Sequence, residues 1–117
     1  MRADVEAAAG RLLAAAAGVR CFLEVPPDRP AEFISVELTG SSADGLGVRT
    51  EAQLAVQSWA PTRRRAREIA SAVEAAVPSI SGEPWAFSAR ASSTYRFPDP
   101  ASRTPRYQTT VELVICE

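Results

Sequence analysis

The chain has 117 residues, 46% of them hydrophobic and 23% charged, with a formal net charge of −1. That length fits one domain, residues 1–117, which buries roughly two-thirds of its unfolded surface and needs no metal or disulfide staple to fold. Near-neutrality excludes a whole-chain field that would draw in nucleic acid or an acidic membrane, and the absence of histidine excludes a Cys/His zinc site as well as Cys-His and Ser-His-Asp catalysis.

All 13 basic residues are arginine. Cys21 and Cys116 form no C-x-x-C pair and read as free, reduced thiols. The N-terminal alanine run is interrupted by Asp4, Glu6 and Arg11. No apolar run approaches the roughly 18 residues of a membrane span. The expectation is a soluble, cytoplasmic protein.

In chain order, residues 2–17 read as a helix. Val5, Ala8, Ala9, Leu12, Leu13 and Ala16 recur at the three-four spacing of one buried face. Gly10 weakens this helix by about 1 kcal/mol relative to alanine, and Gly18 is a fitting stop. Residues 19–25 (VRCFLEV) read as a strand with Val19, Cys21, Leu23 and Val25 on one face. Pro26-Pro27 ends it, because proline cannot donate to a ladder. After the stiff turn of residues 26–30, residues 32–39 read as a second strand, with Ile34, Val36 and Leu38 on one side and Phe33, Ser35, Glu37 and Thr39 on the other. The loop 40–47 carries an Asp44-Gly45 pair suited to a tight turn and a hairpin.

Residues 48–60 form a third strand. Val48, Thr50, Ala52, Leu54 and Val56 alternate with Arg49, Glu51, Gln53, Ala55 and Gln57, the pattern of a half-buried antiparallel strand. Pro61 ends it and Thr62 caps the helix that follows. Ala66, Ile69, Ala70, Val73, Ala76 and Val77 make that helix's buried stripe, and Pro78 closes it. Residues 84–96 read as a fourth strand, with Trp85, Phe87 and Ala89 on one face. Residues 97–105, with three prolines, read as a mobile loop. Residues 106–116 (RYQTTVELVIC), rich in β-branched side chains, are a last strand. The order α-β-β-β-α-β-β predicts an α+β fold: a mainly antiparallel sheet of four to five strands with both helices on one face.

Candidate chemistry is sparse. Arg63, Arg64 and Arg65 with Arg67 form the densest charge cluster, read as a solvated face, as a contact for a charged protein surface, or as a polyanion contact. Positive charge at a helix N-terminus opposes the macrodipole by a few tenths of a kcal/mol each, which hints at a use. The acidic counterparts are Glu24, Asp28 and Glu32 around the first turn, or the polar strand face with Glu51. The serines at 41 and 42 with Asp44 lack any phosphate-loop pattern and read as a flexible loop. Trp59 and Trp85 read as caps on the core edge or an interface. No catalytic, cofactor-binding or metal-ligating set emerges.

The pieces EFISVELTG, AQLAVQSWAPTRRRAREIASAVEAAV, YRFPDPASRTPRYQ and TTVELVIC together resemble the tail-terminator (tail completion) proteins of long-tailed phages and prophages, over nearly the whole chain. The resemblance implies a homo-oligomeric ring, usually a hexamer, that caps the tail tube and meets the head connector. Its expected partners are itself, the tail-tube protein and the head-connector protein, with no cofactor and no reaction; it would be cytoplasmic during assembly, then part of the virion tail. Two other classes remain open from the residues: a small ligand-binding or regulatory domain of ferredoxin-like type, and an enzyme built on carboxylates and arginines.

Overall fold

The computed structural model describes residues 4–43 and 49–116. Helix α1 is Val5–Ala17, β1 is Arg20–Phe22, β2 is Phe33–Ala43 and β3 is Arg49–Trp59. Helix α2 is Arg63–Ala76, followed by a 3-10 turn at Val77–Gly82; β4 is Ala86–Arg96 and β5 is Arg106–Cys116. The expected Asp44-Gly45 turn lies outside the described residues.

Five strands make one sheet in the spatial order β1-β2-β3-β5-β4. The chain's last strand is therefore interior: β5 pairs antiparallel with both β3 and β4. The antiparallel expectation needs one correction, because β1 runs parallel to β2 and the sheet is mixed. β1 is also only three residues long, against seven expected. Its alternation breaks after Phe22, so Leu23 is exposed rather than buried. The ten residues from 23 to 32 carry the chain back to the start of β2, which is what a parallel neighbour requires.

The core lies between one sheet face and the two helices. Ile34 and Val36 of β2, Leu54 and Val56 of β3, and Val111, Leu113 and Ile115 of β5 are all buried there. From α2 come Ala66, Ile69, Ala70 and Val73, and from the turn after it Val77 and Ile80. Thr62 caps α2 as its sequence suggests, its hydroxyl accepting from the Arg65 N–H at 3.2 Å. The helix α1 ends on Gly18, which sits at φ 71°. That left-handed conformation favours glycine.

Local expectations differ in β2, α1 and β4. β2 runs on to Ala43, where a loop is expected from residue 40. On α1 the buried residues are Val5, Ala9, Gly10, Leu13 and Ala14, while Ala16 is exposed. Gly10 is buried because the helix crosses β1 closely: a Cβ there would lie 2.5 Å from Cys21 Sγ. On β4 a bulge between Ala86 and Ser88 flips the alternation. Ala86 and Ala89 then face the core, and Phe87 turns out to solvent at 54% exposure.

β1 covers only residues 33–35 of β2's outer edge. Beyond it α1 contributes a plug: Glu6 Oε2 accepts from the Leu38 N–H at 2.6 Å. The sheet face away from the helices is open over much of its area. Glu37, Glu51, Gln53, Ser88 and Arg90 stand exposed on it.

Candidate functional site

The start of α2 presents its arginines in two directions, as the 100° step of a helix requires. Arg65 turns toward β2, where its Nε donates to Glu32 Oε2 at 2.9 Å and its Nη1 meets Glu68 Oε1 at 3.4 Å. The hydrogen bond to Glu32 is the main cause of a raised Arg65 pKa. Arg64 is 91% exposed and meets Glu68 at 3.7 Å. Arg63 and Arg67 are exposed and make no hydrogen bond or ion pair among the described residues. With Arg64 they line a shallow groove against Tyr107 of β5. The β4–β5 register places Arg96 directly across from Tyr107, so four arginines gather at this corner. Glu68 offsets part of the charge, and Glu74, one turn and a half further on, is taken by the Thr94 hydroxyl.

The acidic candidates are in different places. Glu32 is already joined to Arg65 of the same chain. Glu24 and Asp28 are exposed in the segment between β1 and β2. Asp28 is next to Arg29, whose guanidinium lies over the Trp59 ring, and Trp59 is the end of β3 from which α2 departs. Asp28, Glu32 and the α2 arginines thus share one end of the molecule. Glu51 lies eight residues back along β3, about 26 Å away at 3.3 Å per residue.

Around Glu51 the open sheet face forms a groove of about 750 Å³, lined by Ser42, Glu51, Gln53, Arg90, Glu112 and Val114 among others. Arg90 Nη2 and Glu112 Oε2 pair at 2.5 Å across β4 and β5. Glu51 makes no hydrogen bond or ion pair among the described residues. Phe87 borders this end of the face, with the Arg49 guanidinium 3.9 Å from its ring centroid. The sequence reading gives Arg90 and Glu112 no role and sets Phe87 on the face of Trp85 and Ala89. The regular alternation of β5 carried the signal for Glu112, whereas Phe87 depends on the bulge.

The opposite end of the open face is closed by an aromatic and guanidinium cluster. Phe33 and Trp59 stack with centroids 5.1 Å apart, and Phe22 meets Phe33 edge-on at 5.5 Å. Arg29 and Arg106 each hold their guanidinium 4.8 Å from the Trp59 ring, and the indole N–H donates to Ser35 Oγ at 2.9 Å. Arg106, only 8% exposed, donates through Nε to the Phe97 carbonyl at 2.7 Å. Arg29 Nη2 reaches the Ser102 and Thr104 hydroxyls, each at 3.3 Å. Asp99 Oδ2 accepts from the Ser102 N–H at 3.0 Å and from its hydroxyl at 2.5 Å.

These contacts overturn the expectation of a mobile loop at 97–105: Arg29, from a distant part of the chain, and Arg106, the first residue of β5, hold it to the sheet. The Ser102 hydrogen bonds, with Arg106 and Arg29 nearby, keep the Asp99 carboxyl below its ordinary pKa. Burial lowers that of Arg106, against the opposing pull of Asp99. Trp59 belongs to this cluster on the open face, whereas Trp85 packs against the core as its core-edge reading expects.

Cys21 and Cys116 are free thiols, and burial raises the Cys21 pKa. Among the described residues no three His, Cys, Asp or Glu side chains gather as a metal site needs, and no helix is long and apolar enough to cross a membrane.

No family model matches the sequence, and no curated protein matches it. Among solved structures, the fold is similar to that of a chain from the virion of a native gene transfer agent (GTA) particle. The TM-score is 0.63 at 15% sequence identity, over 91% of this chain and 85% of that one. At that identity the likeness is one of fold: this mixed five-stranded sheet with its two helices is an architecture that a virion component also uses.

Proposed function

We propose that this chain is a structural component of a phage-like virion, and that its work is to cap the tail tube as a ring and join it to the head connector. The fold likeness to a chain of the GTA virion, over 91% of this chain, is the observation that carries the reading. It acts together with the sequence resemblance to tail-terminator proteins, which reaches the same class from the residues. The layout of the surface is compatible with such work. The polar groups are spread over two surfaces, the arginine corner and the open sheet face, instead of converging on a reacting centre. Such a protein recognises and excludes; it does not catalyse. Its partners would be further copies of itself, a tail-tube protein and a head-connector protein.

Light scattering on a size-exclusion column, with and without a tail-tube protein, tests the reading. The expected result is a concentration-dependent oligomer, driven to a ring and seated on tube ends when tube is present. A chain that stays monomeric at high concentration and binds no tube end refutes it. The same assay on Arg63→Glu/Arg64→Glu reports on the arginine corner. Caps formed as readily as by the wild type would make those side chains a solvated surface only.

A further inference from the structure

We infer that the arginine corner of one copy seats in the open-face groove of the next, Arg63 and Arg67 meeting Glu51 and Glu112. The inference deepens the ring reading above by naming its subunit contact. Three features support it. The first is which charges are left over. Glu32 is bound to Arg65 within the chain, while Glu51, Arg63 and Arg67 have no partner of their own among the described residues.

The second is placement. A ring needs a head-to-tail contact between two different patches. Asp28 stands near the same end as the arginines, beside Arg29 over Trp59, whereas the groove lies on the other layer and toward the opposite end of β3. The corner belongs to the helix side, beside the core-facing Tyr107, and the groove to the bare side. A contact between opposite layers leaves one of each patch free on every added copy. The association therefore repeats instead of stopping at a pair.

The third is spacing. Arg63 and Arg67 are one helical turn apart, about 6 Å between Cβ atoms. Glu112 pairs with Gln53, two residues from Glu51, and such diagonal cross-strand neighbours are about 7–8 Å apart. Two guanidiniums can therefore reach two carboxylates together. Arg90, already on Glu112, fixes that carboxylate in place. Exposed ion pairs steer and select more than they bind. The apolar share of the contact falls to Phe87 and Val114 beside the groove and to Tyr107 beside the arginines, since aromatic anchors dominate interface energies.

The experiment is a charge exchange read by light scattering and sedimentation, in the presence and absence of tail-tube protein. Arg63→Glu/Arg67→Glu reverses the corner. Glu51→Arg/Gln53→Arg reverses the groove, the second change sitting directly across from Glu112. All four positions are exposed, and circular dichroism checks that each variant folds. Each variant alone should self-associate about tenfold more weakly than wild type, the effect of losing and reversing two exposed pairs. An equimolar mixture should recover assembly, because each variant then meets a complementary surface on the other. Wild-type rings with variants that assemble equally well overturn this contact and leave the ring reading standing. So do impaired variants that the mixture fails to rescue. A wild type that never self-associates, with or without tube, overturns both.

Discussion

The crossing of α1 over β1 sets up a substitution whose sign differs between two arguments. By helix propensity alone, Gly10→Ala in the interior of α1 should stabilise the protein by about 1 kcal/mol. The structure opposes this, because the new Cβ would stand 2.5 Å from Cys21 Sγ and 3.5 Å from a methyl of Val36. The first distance is about 1 Å inside ordinary contact for atoms of this size. Overpacking of this kind costs about 1–3 kcal/mol. The cost outweighs the propensity gain, and the expected net loss is about 1 kcal/mol. Cys21→Ala removes the sulfur and leaves a Cβ at 3.8 Å, an ordinary contact. In that background Gly10→Ala should recover its gain of about 1 kcal/mol, a coupling of about 2 kcal/mol between the two sites. Urea unfolding of the four proteins in the cycle measures both effects through the midpoint at constant slope. A Gly10→Ala that stabilises the wild-type background, or that has the same sign in both, would refute the close-crossing argument.

Two further outcomes follow from polar groups. Ser58 is fully buried on the core side of β3 and its Oγ has no hydrogen-bond partner among the described residues, so Ser58→Ala should stabilise by about 1 kcal/mol; a thermal midpoint lowered by the change would mean the hydroxyl is satisfied. Asp99 has a folded pKa below its ordinary value. Its contribution is thus complete above the unfolded carboxyl pKa of about 4 and is lost as pH falls through the lower folded value. Asp99→Asn should flatten that part of the acid limb in stability-against-pH measurements, and identical acid limbs for the two proteins would contradict the assignment.

Local chemistry made part of this fold legible. Thr62 before an apolar three-four stripe marks the start of α2, and the alternation around Leu54 and Val111 marks the core faces of β3 and β5. What was not legible depends on contacts far apart in sequence. The parallel pairing of β1 arises from where residues 23–32 lead the chain, which no periodicity encodes. Phe87 lies on the face opposite to the one its spacing predicts, because a single extra residue resets a period of two. Residues 97–105 look mobile by their prolines, yet Arg29 and Arg106 fasten them from either side. Gly10 reads as a flaw in a helix until Cys21 is placed beneath it. At the surface, the arginine cluster was visible as a run of like charges. Its division, with Arg65 turned inward to Glu32 and Arg63 and Arg67 left outward, follows only from the helix's orientation on the sheet.

The interior position of β5 also governs how the chain reaches this state during translation. Its ladder joins residue 59 to 106 and residue 49 to 116, so these contacts have high sequence separation and close slowly. As the ribosome delivers the chain in order, β4 is complete before β5, the strand it pairs with, has been made. For that interval β4 is an unsatisfied strand in a crowded cell, the kind of segment that recruits other nascent chains. The two bulges and the arginines at 90 and 96 make β4 a poor template for such mispairing. The same irregularities that obscure β4 in the sequence thus act as a safeguard against aggregation until β5 arrives.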